Sequence, residues 1–414
     1  MSRDNYIKFC FWLCLLLTSC DTERTMLPNE EAIFVKLFGS FDNDQGVKVA
    51  ELPSVGYLLL GTTQQSNVLP GETVNSSALL TLTDFYGETI WNREIKGIGS
   101  YTAGSIIVSD NNEIFISGSS PETDTNTNTD IFLAQISMQG EPLWVNYFGK
   151  KGISETAIEM KFTTDNSLVI IGNSYTSSGD ALPAEDQDFY VLKSSLTGEL
   201  IWERTYGFEE GKTDFGNALV EAGNGDFIWI GSTEKDNLNN QGLNSDMRVV
   251  RSNSLGNLIW DYLFGGEGND YGNKIITLYN EYFLVGAKQD VANNNSDFYL
   301  VKIDNNGEEI WSKVYGGDSN ENAYDIATTQ DGGLIMAGYS FSYGNGKSDI
   351  FLVKTDIEGN LQWQSTFGGQ GDDEAKSVIQ TTDGGFLVAG TVQFENNTMI
   401  CLIKTNAKGQ TTSL

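Results

Sequence analysis

Six carboxylates recur at one position of a long internal repeat: Asp44, Glu155, Asp214, Asp270, Glu321 and Asp373. Each stands two residues before a glycine or alanine (Gly46, Ala157, Gly216, Gly272, Ala323, Ala375); in the second unit Thr102 stands before Gly104. An acid that returns once per repeat has three uses. Hard cations take oxygen ligands, so Asp44, Asp214, Asp270 and Asp373 are the candidate ligands of a shared calcium ion. Two carboxylates facing one pocket can cleave glycosidic bonds as acid and base. A lone carboxylate can accept backbone N–H bonds and pin a loop, the expected use of a position that repeats with the scaffold; changing it to an amide should then cost about 1 kcal/mol.

The chain has no histidine. That excludes Ser-His-Asp hydrolysis, Cys-His chemistry and imidazole metal sites. No residue is assigned a catalytic or cofactor-binding role, and calcium is the only cofactor the acids could take. A second repeated acid, Asp130, Asp188, Asp246, Asp297 and Asp349, is broken by Ser77 and Met399. Five residues beyond it comes a basic residue, Lys193, Arg251, Lys302, Lys354 or Lys404, with Leu82 and Gln135 as departures. Both series are expected to be structural, since exposed ion pairs contribute little.

The elements that carry these residues are legible from the repeat. Trp91, Trp144, Trp202, Trp260, Trp311 and Trp363 lie 51 to 58 residues apart, and each follows a glycine four residues earlier. An aromatic–Gly pair follows most of them, as in Phe367-Gly368. A period near 50 marks a repeat architecture. Within one unit, "AKSVIQTTD", "FLVAGT", "DIFLVKTD" and the Trp segment read as four strands, with Asp-Gly-Gly supplying a two-residue hairpin turn between the first two. The second and third strands are continuous apolar runs, as in sheets covered on both faces. Four-stranded antiparallel sheets repeated radially make a β-propeller. The last unit lacks a Trp strand, and the chain opens on only that strand, "IFVKLFGS", with Phe34 in the Trp position. An all-β, seven-bladed propeller over residues 33–414 follows, its ring closed by the N-terminal strand, which should bury Phe34, Val35 and Phe38. The Trp residues are expected to pack between blades.

Residues 1–19 read as a signal peptide: Arg3 and Lys8, then "FCFWLCLLL", then Leu17-Thr18-Ser19-Cys20. These last four residues resemble the lipobox of bacterial lipoproteins. The resemblance implies lipidation at Cys20, a tether over 20–32, and anchoring to the outer membrane, facing periplasm or cell surface. Of four cysteines Cys401 alone then remains, in a third strand, as a buried apolar side chain. The net charge of −31 argues against nucleic-acid partners.

The segment "VKTDIEGNLQWQSTFGG" (353–369) is similar to the repeat of pyrroloquinoline-quinone-type propellers, and "FGG…DGGFLVAG" looks more like the propeller repeats of secreted and lipid-anchored bacterial proteins. The resemblance implies the fold, and at fold level the propeller lipoprotein of the outer-membrane barrel-assembly machinery is a scaffold of this kind. Function should sit on the face bearing the second-to-third loops, 62–76, 119–129, 173–187, 232–245, 287–296, 339–348 and 391–398. Tyr175, Phe341 and Tyr343, with Asp270, Glu321 and Asp373 at the channel mouth, are the candidate binding face for a protein or glycan. Two functions stand open: a non-enzymatic binding or scaffold lipoprotein, and a carbohydrate-active hydrolase or lyase using the channel-mouth carboxylates.

Overall fold

The computed structural model describes residues 32–39, 43–64, 76–95, 100–121, 128–175, 187–209, 212–237, 242–395 and 397–411. The signal peptide, Cys20 and the tether up to residue 31 lie outside the described residues, as do most of the second-to-third loops of blades 1 to 3 and residues 238–241 of that of blade 4.

The described residues form seven four-stranded antiparallel sheets between Phe34 and Thr405. Blade 1 consists of Asn43–Leu52, Gly56–Gln64, Ser76–Thr83 and Thr89–Ile95. Blades 2 to 6 span 102–148, 154–206, 214–264, 270–315 and 321–367, and the first three strands of blade 7 span 374–405. The first strand of each blade lies against the first strand of the next, and that of blade 7 lies against that of blade 1, so the ring is closed. The closing strand is N-terminal: Phe34–Phe38 pairs with Asn397–Thr405, from Phe34 opposite Lys404 to Phe38 opposite Ile400. Closure covers the outer edge of Asn397–Thr405 and gives blade 7 the same four strands as the other blades.

Apolar second and third strands are buried because each blade is covered by a neighbour on both faces. Seven hydrophobic clusters result, one at each blade interface; that between blades 1 and 2 holds Leu58, Leu60, Leu80, Ile114, Ile116 and Phe132. Cys401 is one such core residue, opposite Gly390, and burial pushes its thiol up to about 12.

The recurring Gly…Trp pair is an interblade joint. Gly140, Gly198, Gly256, Gly307, Gly359 and Gly409 have φ between 71° and 84°, and a side chain at each would run into the Trp of the preceding blade. Gly87 meets Phe34 in the same way, so Phe34 takes the missing tryptophan's place. The expectation that Val35 is buried is corrected: Phe38 is buried, but Val35 and Leu37 are 54% and 44% exposed, because alternate residues of this outermost strand face solvent.

Three further expectations change. The Asp-Gly-Gly hairpin is a three-residue loop, with Gly384 donating to Thr381 O and Thr381 donating to Gly385 O. Strands run on into segments read as loops: Phe227–Asn237 pairs with Gly242–Ser252 out to Asn237 opposite Gly242. In blade 2 the register places Ala103, not Gly104, opposite Gly118, so Tyr101 and not Thr102 occupies the recurring acid's position. The Tyr101 N–H donates to Ser76 O as that of Glu155 does to Thr129 O, and its hydroxyl meets that of Tyr147.

Candidate functional site

The recurring acids sit at the start of each first strand, at the end of the ring that also carries the interblade and second-to-third loops. They are buried, not solvent-facing as the channel-mouth reading expected. Asp270 takes N–H bonds from Gly266 (2.6 Å) and Gln289 (3.0 Å), one on each oxygen. Asp373 does the same with Gly369 (2.6 Å) and Gln393 (2.9 Å). Glu321 accepts from Gly317, Ser340 and Ser342. Glu155 accepts from the Lys150 N–H, and Asp214 from the Phe208 N–H with Arg248 3.1 Å away. Asp44 is likewise fully buried.

The second acid stands beside the first across four of the joints. A side chain at Gly149 would meet both Asp130 and Glu155; Gly265 lies between Asp246 and Asp270, Gly316 between Asp297 and Glu321, and Gly368 between Asp349 and Asp373. The glycine of the aromatic–Gly pair is the space two carboxylates need. Burial first, then the neighbouring Asp130, raises Glu155 to about 7 against its bond from Lys150. Burial and then the charge of Glu321 raise Asp297 to about 6. Burial also raises Asp214, Asp270 and Asp373. Among the described residues no group of three or more acidic, His or Cys side chains converges as a metal site would require.

The recurring bases have partners that lie outside their own strand pair in sequence. Lys193, Arg251, Lys302, Lys354 and Lys404 reach back to the acid of their blade's first hairpin: Asp165, Asp226, Glu281, Asp331 and Asp383. Gln135 donates to Glu113 in the same arrangement. Of the aromatics on the expected binding face, Phe341 is 47% exposed. Tyr343 is half-buried on Phe351 and donates to Gly316 O. Tyr175 ends its strand half-buried opposite Gln187.

The axis holds what the repeat concealed. Every first strand carries a bulge just after its small residue. The extra residues are Val47, Gly104, Ile158, Asn217, Asn273, Tyr324 and Lys376, and all seven line one pocket of about 320 Å³. Bulges re-aim side chains at functional positions in many sheets. The residues just beyond the bulges are Lys48, Ser105, Glu159, Ala218, Lys274, Asp325 and Ser377. Four of these form a buried ionic floor. Lys274 bonds Glu159 and stands 3.6 Å from Asp325. Lys48 stands 3.8 Å from Glu159 and 3.6 Å from Asp325, and Lys161 is 3.4 Å from Glu159. Glu159 also accepts from Leu219 N–H and Asp325 from Val378 N–H, so the charges are tied to blades 4 and 7 as well. Burial pushes the Glu159 carboxyl up, but Lys161, Lys274 and Lys48 together hold it near 2. Asp325 is lowered against burial by Lys48 and Lys274, and Lys274 is raised against burial by Glu159 and Asp325.

The pocket wall is tied to the ring. Asn217 donates to Gly272 O (2.8 Å) and Asn273 to Asn322 Oδ1 and Ala323 O (2.7 and 2.8 Å). Lys376 pairs with Glu374 at 2.9 Å and lies 3.4 Å over the Tyr324 ring, which continues to Tyr339 and Phe341 at 5.8 and 5.6 Å. This aromatic strip leads from the axial pocket to the loop-bearing end.

No family model matches the chain. A curated relative, the regulatory protein FlaEY of Caulobacter vibrioides, is 26% identical over 108 residues, which is 23% of this chain and 11% of that protein. Among solved structures, a protein of unknown function from Dyadobacter fermentans superposes with a TM-score of 0.51 at 12% identity, over 74% of this chain and 95% of its own. A glucose dehydrogenase covers 89% of this chain and 99% of its own at 10% identity and a TM-score of 0.41. At 12% identity the likeness to the Dyadobacter fermentans protein is one of fold.

Proposed function

We propose that the chain is a lipid-anchored envelope protein that binds a ligand along the ring axis from the loop-bearing end, and that it acts by binding or scaffolding. One observation supports this above others. The seven bulge positions are geometrically equivalent, yet they hold seven residues of six types, Val, Gly, Ile, Asn, Asn, Tyr and Lys. A slot that serves the blade is filled alike in most blades, as the joint is with a carboxylate in six blades and Tyr101 in the other. A slot filled differently seven times is free to match something without sevenfold symmetry. The rival, a glycan-cleaving enzyme, needs two carboxylates on one pocket, one able to give up a proton. Glu159 and Asp325 are held ionised by lysines and Glu374 is paired with Lys376, which weighs toward binding.

Ile158→Trp fills the pocket from a partly exposed position that makes no polar contact in the site. Wild type should retain a ligand from native envelope or on a glycan array, and the folded variant should lose it. Retention by the variant would move recognition to the loops, and new reducing ends would favour the enzyme. The anchor rests on Leu17-Thr18-Ser19-Cys20. Cys20→Ala should abolish labelling by a fatty-acid analogue and release the protein from the membrane fraction; unchanged labelling would remove the anchor.

A further inference from the structure

The floor of the axial pocket is electrically unbalanced. Three ammoniums, Lys48, Lys161 and Lys274, face two carboxylates, Glu159 and Asp325. Lys274 is held in the middle of the network, whereas Lys48 has its acids 3.6 and 3.8 Å away, beyond a good hydrogen bond. Lys48 also lines the pocket with 20% of its side chain accessible. In a chain of net charge −31, a cation focused on the axis is out of keeping with the surface around it. A largely desolvated ammonium gains most from an anionic oxygen brought within bonding distance.

The walls describe the rest of the ligand. Asn273 commits both amide N–H groups and Asn217 one of its two to neighbouring blades, and the amide oxygens stand as acceptors. Glu374 and Thr391 add oxygens, and Val47 and Ile158 add apolar wall. Acceptors set around one cation suit a molecule with several hydroxyl donors and one negative group. A space of about 320 Å³ is at the small end of ligand pockets and is of monosaccharide size.

We infer that the axial pocket is a site for a small polyhydroxy carboxylate, free or as the end of an acidic glycan, with its carboxylate on Lys48 and its hydroxyls on Asn217, Asn273 and Glu374. This rests on the axial reading of function above. Such a site has a proton signature. Burial lowers Lys48 to about 8 despite Asp325 and Glu159, while Lys274 and Lys161 repel it. An arriving carboxylate raises it again, so binding takes up protons near pH 8 and weakens as pH rises to 9. The other ionisable groups lining the pocket are Glu159 and Lys274 of the floor, Tyr324, whose hydroxyl burial pushes up, and the Lys376–Glu374 pair, in which burial lowers Lys376.

The test is calorimetry with glucuronate, glucose and a trigalacturonate on the mature protein. Glucuronate should bind and glucose, which differs by the carboxylate, should bind at least about ten-fold more weakly. Proton uptake at pH 8 and loss of affinity by pH 9 should accompany it. Trigalacturonate binding more tightly than glucuronate would identify a chain end, and weaker binding a free acid. Lys48→Met should remove glucuronate binding. If that variant is unstable, the pH profile of wild type carries the same decision. Equal binding of glucose and glucuronate, or affinity independent of pH and of Lys48, would overturn the inference while leaving axial binding intact. Failure of all three probes, with the Ile158→Trp variant still losing its envelope ligand, would overturn this ligand class alone.

Discussion

The blade joints and the ring axis are built from the same strands a few residues apart, and they obey opposite rules. At the joints, chemistry repeats: a buried carboxylate on two backbone N–H groups, a second carboxylate beside it, and a glycine between them. Around the axis the geometry repeats but the chemistry does not: lysine, glutamate, lysine and aspartate occupy equivalent slots in blades 1, 3, 5 and 6. The joint has one neighbour and one task, so a buried carboxylate serves in six of the seven blades and Tyr101 in the other. The axis brings seven slots within reach of one another, where like charges would repel and only unlike ones can settle.

The comparison can be broken by removing a joint. Deleting residues 32–39 takes Phe34 and Phe38 from burial and a strand's hydrogen bonds from blade 7. The loss should be about 2–5 kcal/mol from the buried Phe38 ring and the half-buried Phe34 ring, with the strand's hydrogen bonds in addition, read as a drop in denaturant midpoint. An unchanged midpoint would mean that the ring does not depend on closure. At the axis, Glu159→Leu leaves three lysines facing one aspartate. It should cost about 3–5 kcal/mol, and Glu159→Leu with Lys274→Met should recover most of that, giving a large coupling energy in a double-mutant cycle. Additive losses would mean the floor is not a network.

Asp270→Asn tests the joint pin. Both carboxylate oxygens accept N–H bonds and an amide has one acceptor, so the cost should be about 1–3 kcal/mol, above the value expected for a single bond. Millimolar calcium should leave the wild-type melting temperature unchanged; a rise that vanishes on pairing Asp270→Asn with Asp373→Asn would establish a cation at the joints.

The smallest effect is a gain. Glu155 titrates near 7 folded against 4.5 for an ordinary Glu, so the native state holds more protons between these values and stability falls as pH rises through that window. Glu155→Gln should leave stability at pH 4 nearly unchanged and raise it at pH 8 by about 1–2 kcal/mol. A loss at pH 8 would show that the carboxylate is bound as an anion there. Glu159 has the opposite sign: its stabilisation is present above about pH 4.5 and fades as pH falls toward 2.

The blade count, the closing strand and the packing of the Trp residues between blades are legible in the amino-acid sequence alone. All three are written in periodic, local signals: a Trp four residues after a glycine, continuous apolar second and third strands, and two incomplete ends that sum to one blade. The sequence also offered the joint acids, though it placed them at an open mouth and slipped one residue in blade 2. Ala103 and Gly104 are both small and either fits the pattern, so only the pairing of Ala103 with Gly118 reveals Tyr101. Tertiary structure alone decided the axis. Lys48, Glu159, Lys274 and Asp325 match nothing in the units on either side, so aligned repeats show them as noise. Their meaning comes from closing a ring, which brings side chains from four blades to one point, where each charge is stable only because the others are there.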